Sequence, residues 1–525
     1  MIKQLQTLPI GDSSFESINQ NNCLYVDKTK HIYQMLEKGK YYFLSRPRRF
    51  GKSLTVSTLR CLFQGKKELF DGLWIVKNIN WEWKKYPVIT LDFNGITHDT
   101  PHNLKLSLKN NLKKIAQKFD TNLSETFLKE QFKELILSLN KKSKAQVVIL
   151  VDEYDKPIID YLGKGGKGLE IAKANREILK NFFGVIKDID VLRVLRFVFI
   201  TGVSKFSRVS IFSELNNLDD ITMNRHYADM LGYTQEELEN FFADHISIFA
   251  KELNQSTDQV INRLKLEYNG YRFSEKNVSV YNPFSVLKAL NEMAYKKFWF
   301  ETGTPKFLIN LLRETNWDIP AIESMQATES VFSVYEIENL QPEALLFQTG
   351  YVTIKDVDEG LYSFIYPNQE VKTAFLENLF YSYTNKTKES QRFILLSKFL
   401  YKEDFDSFFN TITAIFASIP YHLESKRDEA YYHTLFYLMV CGSGINAQSE
   451  IADCTGRIDL LITFSDKIFI IEFKCNQNAH LALKQIREKG YDRKFQDSGK
   501  KIMLVGINFD TEKRNISEWK VEKNI

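Results

Sequence analysis

A multidomain α/β protein is the fold class this sequence predicts, on three observations. Four short apolar runs alternate with long helical patterns over residues 1–228, a mostly helical stretch with one hairpin follows over 229–390, and residues 391–525 open a new strand-rich order. A chain of 525 residues is too long for one hydrophobic core. These three segments are therefore the expected domains.

The first segment reads as strands at 41–45, 86–93, 145–152 and 195–203, separated by helical patterns at 52–63, 103–118, 124–139 and 169–186. Runs such as VVILV, apolar at every position, suit a parallel sheet covered on both faces. The glycine-rich GKGGKG at 163–168 follows no strand and is expected to be a flexible loop. The middle segment is punctuated by Pro283 and Pro305, and its hairpin at 350–368 follows a helix, which suits a lid with a winged-helix-like module or a plain helical linker. The last segment runs helix (429–439), strands (445–451, 457–464, 467–475), helix (479–489) and strand (501–507).

Bulk chemistry narrows little. Seventy basic against 66 acidic residues give a net charge of +4, which neither demands nor excludes nucleic acid. Five scattered cysteines without CxxC spacing argue against a disulfide framework and a zinc site, and His422, His433 and His480 have no zinc spacing either. The N-terminal stretch lacks a signal-like apolar run, and no segment approaches the roughly 18 apolar residues of a membrane span. A cytoplasmic protein with no membrane partner is expected.

Chemistry concentrates in two places. In YYFLSRPRRFGKSL (41–54), Gly51-Lys52-Ser53 follows an apolar strand and opens a helix, although Arg46 stands where the GxxxxGK[ST] pattern has its first glycine. A bare GK[ST] occurs about 0.3 times by chance in such a chain, so context decides. In a phosphate loop the backbone amides wrap the phosphates, here over Arg46, Pro47, Arg48, Arg49, Phe50, Gly51, Lys52, Ser53 and Leu54. Lys52 reaches the outer phosphates and Ser53 joins a Mg²⁺ shell. Asp152, at the tip of a later strand, is expected to hold the metal's water, Glu153 to align the attacking water, and Thr201 to end a neighbouring strand near the γ-phosphate.

The second place is TGRIDLLITFSDKIFIIEFKCN (455–476). A hairpin turning on Ser465-Asp466 puts Asp459 directly opposite Glu472, with Lys474 on the same face and Phe473 on the other. Two carboxylates and a lysine so placed form a site for Mg²⁺ or Mn²⁺ and phosphodiester hydrolysis, or a plain cross-strand ion-pair ladder.

YVDKTKHIYQML, RPRRFGKS, LVDEYDKP, FITGVSKFSRVSIFSELNNLDDIT, NGYRFS, VYNPFSVL, ETGTP and LLFQTGYVTI together resemble the AAA-ATPase-like family of mostly bacterial proteins, over nearly the whole chain. The resemblance implies an N-terminal P-loop NTPase using ATP and Mg²⁺, and it makes Arg46 the family's form of the loop. Arg46, Arg48 and Arg49 are then expected to touch phosphate or a neighbouring subunit of a homo-oligomer, or else to pair with surface acids. The C-terminal pattern resembles the PD-(D/E)XK nuclease superfamily, implying a restriction-endonuclease-like α/β domain. In it Asp459, Glu472 and Lys474 carry the metal and water chemistry, Gln485 assists from the helix, and Glu429 and Glu450 are further acidic candidates. Arg457-Ile458-Asp459 replaces the Pro-Asp of that superfamily's name. The expected function is an ATPase coupled to a metal-dependent nuclease acting on nucleic acid, with DNA the expected kind; the alternative is an ATP-dependent switch or scaffold whose nuclease-like domain binds without cutting.

Overall fold

The structure, a computed structural model, describes residues 5–205, 211–212, 217–299, 306–314, 317–333, 341–384, 390–419, 429–453 and 456–523. It forms two compact units, Met1–Thr302 with Ala327–Tyr362, and Gly303–Gln326 with Ser363–Ile525. The units do not coincide with the three expected segments, because most of the helical middle belongs to the first unit. Among the described residues no helix is long and apolar enough to cross a membrane.

The first unit is built on a five-stranded sheet of β1 (Tyr41–Ser45), β2 (Val88–Asp92), β3 (Val147–Asp152), β4 (Leu195–Gly202) and the two-residue β5 (Asp219–Asp220). All pairs are parallel and the order is β2-β3-β4-β1-β5. β3 is buried along its whole length, as a strand covered on both faces must be. Parallel pairing brings the carboxyl ends of β1, β3 and β4 to one edge, where α/β sheets bind ligands. Helices Lys52–Phe63, Pro101–Lys118 and Leu128–Ser143 lie close to their expected places.

One expected loop is a helix instead. Helix Gly165–Phe183 begins inside GKGGKG, and a Cβ on Gly168 would lie 2.6 Å from the Tyr161 carbonyl oxygen, so close packing calls for this glycine. The glycines serve contact and helix onset there, not looseness.

Helices Gln235–Phe241 and Thr257–Tyr268 both open on capping boxes, at Thr234 and Ser256, and Asn282 caps helix Pro283–Glu292. Their apolar faces meet in a core of Leu238, Phe242, Phe249, Leu264, Tyr268 and Val286, which Leu24 and Val26 from the N-terminal stretch complete. That shared core explains why 229–302 folds with the sheet domain. The short strand β6 (Gln326–Thr328) and the expected hairpin, β7 (Thr353–Asp358) and β8 (Leu361–Ile365), lie where the chain passes between units. The hairpin turns on Glu359 (φ 45°) and Gly360 (φ 83°), the two positive φ values of a tight two-residue turn.

The second unit carries β9 (Ala447–Asp453), β10 (Gly456–Thr463), β11 (Lys467–Cys475), β12 (Lys501–Asp510) and β13 (Asn515–Lys523). The order is β13-β12-β11-β10-β9, with only β11 and β12 parallel. Phe473 packs toward helix Glu429–Gly442 against His433 and Phe436. Helix Ala479–Lys489 places Leu483 and Ile486 in a core with Ile458, Ile470 and Leu504. Alternation along β11 therefore turns Glu472 and Lys474 away from Phe473.

Candidate functional site

The phosphate loop leaves β1 at Ser45 and turns into helix Lys52–Phe63 through Arg49 (φ 69°) and Gly51 (φ 93°). Arg46 is not among the positive-φ residues, so the backbone freedom that a glycine supplies is not used there. Lys52 is 4% exposed and its ammonium donates to the carbonyls of Arg46 (3.0 Å) and Pro47 (3.1 Å), 4.0 Å from a Glu153 carboxylate oxygen. Asp152 ends β3 beside Ser53. Burial raises its carboxyl to about 6, against an opposing hydrogen bond from Ser53, and its Oδ1 is buried with no hydrogen-bond partner. Glu153 follows at φ 54°, a conformation that turns the chain sharply off the strand.

Arg49, Gly51, Lys52, Ser53 and Glu153 border a cavity of about 430 Å³, whose lining does not include Asp152. Its lining combines polar groups, among them Asp12, Arg49, Lys52, Ser53, Glu153 and Lys156, with the apolar side chains of Pro9, Leu54, Pro283, Phe284 and Leu287, and the Arg49 guanidinium lies 4.8 Å from the centre of the Phe284 ring. Lys156 is held by Asp160 (2.9 Å), which His98 also contacts at 3.1 Å. Sequence reading missed Lys156, one turn beyond Asp152-Glu153, and had no signal for the apolar lining residues Pro9, Pro283, Phe284 and Leu287, which lie far from the loop in the chain.

Four loop and strand positions differ from expectation. The Arg46 guanidinium is not on the cavity lining: it is 1% exposed, donates to the carbonyls of Ser45, Thr222 and Tyr227, and feels the charge of the partly exposed Asp220. Burial lowers its pKa to about 9, still charged at neutral pH. Phe50 is core, packed edge-on to Tyr271 and Phe273, and Pro47 is buried beside Gly350. Thr201 is fully buried and its hydroxyl donates to the Leu44 carbonyl at 2.7 Å, tying β4 to β1 instead of lining the cavity. Motif residues 206–210, 213–216 and 301–305 lie outside the described residues.

In the second unit the hairpin register is the one the turn at Ser465-Asp466 implies. Leu460 pairs with Ile471 and Thr463 with Ile468, so the next step outward sets Asp459 against Glu472. Asp459 Oδ2 accepts the Phe473 N–H at 2.8 Å. Lys474 Nζ lies 3.3 Å from Glu472 Oε1 and donates to the Phe473 carbonyl at 2.8 Å. Gln485 Nε2 donates to the same Glu472 oxygen. The four expected residues thus converge on one face.

Glu472 is 1% exposed, and burial, reinforced by the Asp459 charge, pushes its carboxyl up to about 8 from the usual 4.5. Its Oε2 is buried with no hydrogen-bond partner. An orphaned carboxylate oxygen beside a second carboxylate is the donor set a divalent cation satisfies, and Asp152 with Ser53 offers the same at the phosphate loop. Among the described residues no cluster of three or more His, Cys, Asp or Glu side chains is set to hold a metal. Water and substrate phosphate would therefore complete either shell.

His433 and Ser449 both bond the Asp459 carbonyl, at 3.1 and 3.0 Å, fixing β10 where Asp459 emerges. Tyr491, just beyond the Gln485 helix, is 1% exposed and packs in the core with Ile458 and Ile486. Glu429 is exposed at the start of its helix, and the Glu450 side chain lies outside the described residues.

A family model described as predicted AAA-ATPase matches residues 9–212, and a model of the PD-(D/E)XK nuclease superfamily matches residues 427–519. Over 528 aligned residues the chain is 37% identical to the "Uncharacterized protein in vnfD 5'region" of Azotobacter chroococcum mcd 1, with 98% of each chain covered. Both matches fall on the two sites whose geometry is described above, and the chain belongs to the AAA-ATPase-like family, with a PD-(D/E)XK nuclease superfamily domain at its C-terminal end.

Proposed function

We propose that the chain binds and hydrolyses ATP in the 430 Å³ cavity and that its C-terminal domain cleaves phosphodiester bonds in nucleic acid, DNA being the substrate its superfamily suggests. The observation that carries this reading is common to both sites: one buried carboxylate oxygen, Asp152 Oδ1 or Glu472 Oε2, is without a hydrogen-bond partner, and a lysine charge acts on that carboxylate, Lys52 on Asp152 and Lys474, at 3.3 Å, on Glu472. Ser53 with Asp152, and Asp459 with Glu472, would hold Mg²⁺ or Mn²⁺. When bound, the ion supplies charge neutralisation on the phosphate and a more acidic water.

The chain's own groups do the rest. Lys52 exchanges its two loop carbonyls for phosphate oxygens, the amides following Gly51 face the phosphates, and Glu153 orients the attacking water. The apolar side chains of the cavity lining, Phe284 and Leu287 among them, would contact the base. In the second unit Gln485 holds Glu472 through Oε1, leaving Oε2 for the ion, and Lys474 places positive charge next to the scissile phosphate. Nucleotide state is expected to control cleavage.

Nicking of supercoiled plasmid with Mg²⁺ or Mn²⁺, with and without ATP, tests this in wild type, Asp459→Ala and Lys52→Ala. Cleavage is expected in wild type and absent in Asp459→Ala, while Lys52→Ala abolishes its dependence on ATP. Equal inertness of wild type and Asp459→Ala on double-stranded DNA, single-stranded DNA and RNA would sink the nuclease reading.

A further inference from the structure

A phosphate loop ordinarily opens on a glycine, whose conformational freedom lets the backbone curl around the phosphates. Here the turn is made further on, at Arg49 and Gly51, and position 46 is occupied by a buried guanidinium. Burying a charge is costly unless hydrogen bonds compensate it. The compensation is specific: Nη1 donates to the Ser45 (2.9 Å) and Thr222 (2.6 Å) carbonyls, Nη2 donates to the Tyr227 carbonyl (3.2 Å), and the guanidinium carbon lies 4.3 Å from the centre of the Phe273 ring. Its backbone N–H donates to Gly202 at the end of β4, and its own carbonyl accepts Lys52.

The loop residues that follow are anchored in the same way. Pro47 lies so close to Gly350 that a Cβ there would come within 2.7 Å. The Arg48 carbonyl accepts the Trp299 indole N–H at 3.1 Å, and Phe50 is held by Tyr271 and Phe273. All these partners belong to the first unit.

We propose that Arg46 is a positioning residue of the nucleotide site: its guanidinium clamps the loop to the 222–227 connection and to Phe273, and this clamp sets the loop shape that a glycine sets elsewhere. The assignment rests on the nucleotide reading. It makes ATP affinity depend on residues that touch no nucleotide.

The test reverses the usual logic of a motif, because Arg46→Gly restores the ordinary pattern. In the full chain with Mg²⁺, ATP affinity and the kcat and KM of hydrolysis are measured for wild type, Arg46→Gly, Arg46→Lys and Lys52→Ala. Arg46→Gly is expected to lose at least about tenfold in ATP affinity, and Arg46→Lys to raise KM several-fold with kcat little changed, since one ammonium cannot serve three carbonyls in a plane. Added guanidinium at non-denaturing concentration is expected to restore part of the affinity of Arg46→Gly, whereas ammonium restores none. Wild-type affinity in Arg46→Gly, or equal rescue by ammonium, overturns the proposal. If Arg46→Gly does not fold, Phe273→Leu replaces it: an affinity loss of about threefold or more supports the clamp, and none overturns it. Failure of wild type to bind ATP, or binding unchanged in Lys52→Ala, would instead remove the underlying nucleotide reading.

Discussion

Glu472→Gln is expected to reverse its effect on stability between pH 5 and pH 8 in metal-free protein. The folded state holds this carboxyl at about 8, whereas its ordinary value is 4.5. Between those two values the native chain keeps a proton that the unfolded chain has released, so stability falls as pH rises through that window. At about 1.4 kcal/mol per pKa unit, the ionisable side chain loses on the order of 2–4 kcal/mol between pH 5 and pH 8, with little solvent screening because the side chain is 2% exposed. Glutamine does not titrate, but its amide hydrogens meet the position of the orphaned Oε2 at a cost of about 1–3 kcal/mol. The variant should therefore be slightly less stable than wild type at pH 5 and more stable at pH 8. Amide hydrogen exchange of β10, β11 and β12 in EDTA, comparing the two proteins at matched pH, reads this locally, as suits a chain of two compact units whose global unfolding is not expected to be two-state. A stability difference that stays constant from pH 5 to pH 8 would refute the protonated, desolvated Glu472.

Adding Mn²⁺ at pH 8 should protect the same strands in wild type and not in Asp459→Ala, since the ion binds only the folded carboxylate pair; protection of both proteins would place the metal elsewhere. Gly350→Ala must adopt φ 88° and meet Pro47, which should destabilise the first unit by about 1 kcal/mol or more and weaken ATP binding, checked by denaturant titration and nucleotide affinity. Thr201→Val removes the hydroxyl that donates to the Leu44 carbonyl and should cost about 1–3 kcal/mol of stability while changing ATP affinity less than Lys52→Ala does. A loss of affinity as large as that of Lys52→Ala would return Thr201 to the phosphate site.

Local signals carried the sheet of the second unit. Ser465-Asp466 permits one tight connection, and one register then follows for every pair from Leu460 with Ile471 to Thr463 with Ile468. β13 was not legible because NISEWKVEK alternates charges with few apolar residues, and it is a strand through its pairing with β12. The helix onset in GKGGKG was hidden by glycine's weak helix preference, which tertiary contact at Gly168 outweighs. The places of Lys52 and Ser53 at a helix start and of Asp152 at a strand end were legible because each follows a short apolar run. The fate of Arg46 was not: its partners Thr222, Tyr227 and Phe273 lie about 180–230 residues away in sequence, and no local pattern distinguishes an arginine aimed at a ligand from one driven inward.

The first unit is written in two separate stretches of chain, with Gly303–Gln326 of the second unit between them. A ribosome must therefore synthesise beyond Tyr362 before the first unit has all its parts, including the Gly350 that abuts Pro47. Until then the nascent phosphate loop lacks one of its walls. The same threading gives three crossings between the units, so one proteolytic nick at any crossing leaves them covalently joined, and cutting the gene after residue 302 or before residue 363 removes material from one unit or the other.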